Sequence, residues 1–160
     1  MGADDGLNEA RSAYYRHLRE WKPTQDPGKL PRSAELCSVK RESDPSQLLY
    51  LSYGWSYAPF EHYRQQKDRP VFVVNDDVLL TSGPDRQASY HLYVRCQIPG
   101  ALPQQKDEVP VSGSLTDTLT GETDPRVPYT HLLHSARVMV EALGCTNKPV
   151  VPAQPPASVR

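Results

Sequence analysis

The amino-acid sequence predicts an α+β fold: an antiparallel sheet of about four to six strands with an N-terminal and a C-terminal helix packed on its apolar face. Apolar residues recur at helical spacing near both ends of the chain. Between those ends run short alternating or continuous apolar segments, punctuated by Pro, Gly, Asn and Asp. The sequence shows no internal repeat and no second set of core-forming segments. Residues 1–147 therefore read as a single domain and residues 148–160 as a Pro-rich, disordered tail.

Leu7, Ala10, Tyr14, Leu18 and Trp21 recur at intervals of three and four, which places them on one face of a helix over 8–21. Asn8 is a suitable cap for its start, and Lys22-Pro23 ends it because proline disfavours the α conformation in the preceding residue. Residues 22–33 read as a loop, and the strands fall within 35–120. A first strand over 36–41 puts Cys37 and Val39 on one face. A second, over 48–53, follows a turn at Asp44-Pro45-Ser46. Residues 54–69 form an irregular connection with a helical turn near 60–67. The runs 71–74 and 78–80 then make a hairpin about Asn75-Asp76-Asp77.

The clearest alternation covers 89–98. Tyr90, Leu92, Val94, Cys96 and Ile98 point inward, and Ser89, His91, Tyr93, Arg95 and Gln97 form a mostly wet face. Residues 109–119 contain Pro110 and Gly113, which reduce them to an edge strand or loop. The second helix covers 129–143. Pro128 stands at its first position, Leu132, Ala136, Met139, Val140 and Leu143 form its stripe, and Gly144 stops it.

Composition narrows the function classes. The 18 Lys plus Arg balance 19 Asp plus Glu, so the chain lacks the basic excess of a dedicated nucleic-acid binder, and no nucleic-acid partner is expected. The apolar fraction is 38%, which supplies only a modest core. No apolar run is long enough to span a membrane. Charge is nonetheless uneven, because residues 11–41 hold eight Lys or Arg against three acids. That segment suits either a solvated helix face or a docking surface for acidic partners or lipid.

Cys96 lies on the inward face of the best strand, and Cys145 follows the helix that should cover that face. The two thiols either pair across 49 positions or stay separate and buried. Cys37 is then unpaired or partnered outside this chain. His131 and His134 stand three apart on the C-terminal helix, but no Cys-x-x-Cys accompanies them, so no metal or other cofactor is expected. Asp76-Asp77 reads as solvated turn chemistry, and no phosphate-cradling loop or nucleophile elbow is present, so no catalytic residue is assigned. Tyr53, Trp55, Tyr57, Phe60 and Tyr63 lie in an aromatic segment over 50–63. They either cover the thin core or, exposed, form a stacking surface for sugar, peptide or base.

Two stretches carry a family resemblance: Leu92-Tyr93-Val94-Arg95-Cys96 with Ile98-Pro99-Gly100, and Ala142-Leu143-Gly144-Cys145 with Asn147-Lys148-Pro149 before a Pro-rich end. Together they resemble the extracytoplasmic domains of Streptomyces-type actinobacterial membrane-anchored proteins of unknown function. The resemblance implies an exported domain, secreted or at the cell surface, with its strand and C-terminal cysteines oxidised and a tether through an N-terminal membrane helix. The polar start Met1-Gly2-Ala3-Asp4-Asp5 departs from that pattern, since the anchor is absent from this chain.

The leading expectation is a non-enzymatic extracytoplasmic binding or accessory domain for a protein or cell-surface ligand. A cytoplasmic interaction module using the basic N-terminal helix or the 50–63 segment is the alternative. A small hydrolase or transferase built on His91, His134 or Asp77 is the third.

Overall fold

The computed structural model describes residues 3–24, 33–56, 58–83 and 88–160. In chain order the elements are α1 (Ala3–Arg19), β1 (Ala34–Arg41), β2 (Asp44–Trp55), α2 (Phe60–Arg64), β3 (Val71–Asn75), β4 (Val78–Ser82), β5 (Ser89–Val94), α3 (Gln105–Glu108), β6 (Val111–Asp117) and α4 (Arg126–Leu143). The six strands form one antiparallel sheet in the order β1-β2-β6-β5-β4-β3. The long helices α1 and α4 both pack on one face of it, as an α+β reading requires.

The helical stripes supply the core. Ala10, Tyr14 and Leu18 of α1, with Leu132, Ala136, Met139 and Leu143 of α4, are buried against Tyr53, Leu80, Leu92, Val94 and Val111 of the sheet. Tyr15 Oη donates to the Leu143 carbonyl (2.7 Å), which ties α1 to the end of α4. Gly144 takes the left-handed conformation at φ 59° and turns the chain so that Cys145 meets Cys96, with Sγ–Sγ 1.97 Å and Cα–Cα 5.0 Å.

Several expectations are corrected. α1 begins at Ala3, so Asn8 lies inside the helix rather than capping it, and the helix ends at Arg19. Glycine is ordinarily unfavourable inside a helix, but a Cβ at Gly6 would stand 3.1 Å from the Glu35 carbonyl oxygen, so the bare glycine lets α1 approach β1 closely. The first hairpin turns at Glu42-Ser43, two residues before the expected position. Asp44 instead accepts from the Ser46 amide inside β2. Most of the 22–33 loop lies outside the described residues. β5 stops at Val94, and side chains replace the ladder beyond it: the Gln97 amide donates to Asn147 Oδ1 (2.9 Å) and the Ile98 amide to Gln105 Oε1 (2.9 Å).

β6 lies at the centre of the sheet, not at its edge. Pro110 sits just before the strand, where it interrupts no ladder bond, and Gly113 leaves room for the ring of Tyr53 on the neighbouring strand. α4 begins at Arg126, which makes Pro128 its third residue. Proline is tolerated there because first-turn amides have no partner inside the helix.

The tail is ordered rather than disordered. Val151, Pro155 and Val159 are buried, and the Arg126 guanidinium donates to the carbonyls of Pro155 (3.0 Å), Pro156 (2.9 Å) and Val159 (3.3 Å). Prolines remove amide donors that would otherwise need partners. A Pro-rich segment can therefore be held largely through its carbonyls and a few buried side chains.

Candidate functional site

Alternation along the strands sorts the sheet into two faces. Residues 53 and 55 of β2 face α1 and α4, so Ser52 and Gly54 face the other side. By the same parity Ser112 and Ser114 of β6, and His91 and Tyr93 of β5, share that side. Register aligns them in two rows across three strands, Ser52-Ser114-His91 and Gly54-Ser112-Tyr93. The small residues and the stacked rings of Tyr93 and Tyr63 line a groove of about 320 Å³. That volume is at the small end of ligand sites, which run from about 300 to 1,000 Å³.

The expected wet face is therefore only partly wet. Phe60 from α2 is fully buried against Leu79 and Tyr93, and Tyr63 stacks on Tyr93 with centroids 3.7 Å apart. Ser56 fixes that wall by donating to Tyr63 Oη (2.7 Å). Arg95 fixes α2 itself. Its guanidinium lies 4.3 Å from the Phe60 ring centroid, pairs with Glu61 (3.0 Å) and Asp107 (2.8 Å), and donates to the Asp76 carbonyl (2.8 Å). One side chain thus joins α2, α3 and the β3–β4 turn.

The floor is rich in unused hydrogen-bonding capacity. Ser52 keeps only 5% of its surface, and its hydroxyl has no partner among the described residues; Ser112 and Ser114 present free hydroxyls beside it. His91 is half-buried, with Nε2 3.3 Å from Ser89 Oγ. Burial and then the nearby Arg69 hold its pKa below the ordinary histidine value, which favours neutral imidazole at neutral pH. None of the described residues lining the groove carries a fixed formal charge.

The aromatic candidates scatter. Tyr53 is buried on the helix side, its hydroxyl 2.7 Å from Ser135 Oγ, and Phe60 is fully buried on the other face. Trp55 is 5% exposed and meets Tyr14 edge-on at 5.6 Å, while its margin also lines the groove. Tyr63 forms the groove wall, and Tyr57 lies outside the described residues. Helical and alternating patterns do not single out Ser52, Gly54, Ser112 and Ser114. The signal that would have found them is the repeated small residue at every second position of two strands that turn out to be neighbours.

The three groups weighed for catalysis do not meet. His91 stands on the groove side, His134 stands exposed on α4 across the sheet, and Asp77 lies in the β3–β4 turn, where burial raises its carboxyl pKa against the pull of Arg95 and Lys106. Cys37 is exposed on β1 beside an apolar cleft that His131 and His134 also line. No group of three or more metal-ligating side chains occurs among the described residues. Comparison of the chain with family models, curated proteins and solved structures finds no match.

Proposed function

We propose that the chain is a non-enzymatic extracytoplasmic binding or accessory domain whose ligand occupies the groove on the open face of the sheet. The observation that carries this reading is the set of hydroxyls of Ser52, Ser112 and Ser114 on a recessed floor, which have no protein partner among the described residues and open into the groove, where a ligand can meet them. The Cys96–Cys145 disulfide supports an oxidising compartment.

Two measurements test the proposal. Alkylation of native material without reduction, followed by mass spectrometry, should leave Cys96 and Cys145 unmodified; labelling of both removes the extracytoplasmic assignment. Binding of the purified domain to intact envelopes of the producing cells should fall when Ser112→Leu and Ser114→Leu fill the groove, and unchanged binding removes the groove.

A second reading, a cytoplasmic module docking an acidic partner, rests on Arg11, Arg16 and Arg19. These stand exposed on the outer side of α1 with no ion pair among the described residues. Because Ala10, Tyr14 and Leu18 belong to the core, deleting the helix would unfold the domain. Charge reversal at Arg11 and Arg19 is the test, and partner capture that survives it counts against this reading.

A further inference from the structure

Resting on the groove as the binding site, we propose that its ligand is an uncharged, hydroxyl-rich molecule of saccharide type, held across β2, β6 and β5 by Ser52, Ser114, Ser112 and His91. Four features select this class. The first is electrostatic. No fixed charge lines the groove among the described residues; Arg69, the cation beside His91, is paired with Asp68 (3.6 Å), and Arg95 has its carboxylates in place. An ionic ligand would lose hydration on entry without a counter-charge.

The second is hydrogen-bonding arithmetic. Each serine hydroxyl donates once and accepts twice, and a neutral imidazole donates at one nitrogen and accepts at the other. Partners that are themselves both donors and acceptors at short intervals meet such a surface best, and ring hydroxyls have that property. Ser52 matters most, because it is nineteen-twentieths buried, its hydroxyl is unpartnered, and it lines the groove.

The third is shape. Gly54 and the serines leave a trough, and the rings of Tyr63, Tyr93 and Trp55 line it beside them. Such amphipathic rings offer an apolar margin beside polar tips, matching a sugar ring with C–H faces and a hydroxyl rim. The fourth feature disfavours a peptide. The unpaired edges that could accept an added strand are β1 and β3, whereas Ser52, Ser112, Ser114 and His91 stand on β2, β6 and β5, each already paired on both sides.

The test uses the intact chain in its oxidised form. Amide chemical shifts are followed by NMR during titration with neutral sugars (glucose, N-acetylglucosamine, mannose and cellobiose), with inorganic phosphate, and with a neutral Gly-Ser hexapeptide. Saturable shifts centred on Ser52, Ser112, Ser114 and His91 with at least one sugar, weakened about 3- to 10-fold by Ser114→Ala, are the expected result. Ser112→Ala is the second variant, and an unchanged melting temperature shows that each remains folded. Groove shifts with phosphate or the peptide, and none with any sugar, overturn the ligand class and leave the groove as the site. Absence of groove shifts with every probe overturns both.

Discussion

At the residue scale, two residues show how environment rather than identity sets behaviour. His91 lines the groove half-buried, and its pKa lies below the unfolded value because burial and Arg69 disfavour the imidazolium. Between the folded and unfolded pKa values the unfolded chain binds more protons, so stability rises with pH. Its contribution is complete above the ordinary histidine value near 6.5 and is lost as pH falls through it toward the lower folded value. His91→Gln should therefore flatten the melting temperature between pH 7 and about pH 5, and a pH profile parallel to the parent would refute the assignment. Gly113 is the second case. A Cβ would stand 2.8 Å from two carbons of the Tyr53 ring, whose hydroxyl is held by Ser135, so the ring has little freedom to move. Gly113→Ala should destabilise the protein by about 1–3 kcal/mol in urea titration, although alanine is ordinarily no worse than glycine in a strand.

At the scale of elements, the short helix α2 is too small to hold itself. Arg95 holds it, and with it the Tyr63 wall of the groove. The side chains of Glu61 and Asp107 are about half exposed, so their ion pairs are partly screened, and most of the effect comes from the guanidinium packed over Phe60 and its bond to the Asp76 carbonyl. Arg95→Ala should lower stability by about 1–2 kcal/mol and accelerate hydrogen exchange over residues 60–66, with β6 unaffected. A second element-scale expectation concerns the tail. Removing residues 149–160 strips buried Val151 and Val159 from the core and leaves the Arg126 guanidinium without its carbonyl partners. The truncated chain should melt several degrees lower, since burying one valine contributes about 1.5–3 kcal/mol. An unchanged melting temperature would show that the tail is not part of the folded unit.

At the scale of the whole molecule, the disulfide joins the end of the sheet's central region to the end of α4. Closing a 49-residue separation constrains the unfolded chain by about 4 kcal/mol in the chain-entropy treatment, a large part of the 5–15 kcal/mol typical of a domain. Cys96→Ser with Cys145→Ser should shift the urea midpoint down accordingly. A shift worth less than about 1 kcal/mol would mean that the thin apolar supply suffices without the cross-link.

Much of this architecture is written in local periodicity. The α1 and α4 stripes, the alternation of β5 and the β3–β4 hairpin are legible because burying one face of a helix or strand imposes spacings of 3.6 or 2 on neighbouring residues. The Cys96–Cys145 pairing was legible as one of two outcomes because both cysteines fall on such elements. The central place of β6, the early start of α1, the packing of the tail and the groove depend instead on which distant residues meet. Gly113 is a strand breaker until Tyr53 is its neighbour, Gly6 a poor helix residue until β1 lies against it, and the Pro-rich tail unstructured until Arg126 meets its carbonyls. Ser52 and Ser114 are ordinary polar residues until strand register sets them side by side. The sequence by itself determined the elements and the faces they bury. Strand order, the ordered tail and the groove were decided only by tertiary structure, because close approach and cross-strand pairing join residues that local spacing does not link.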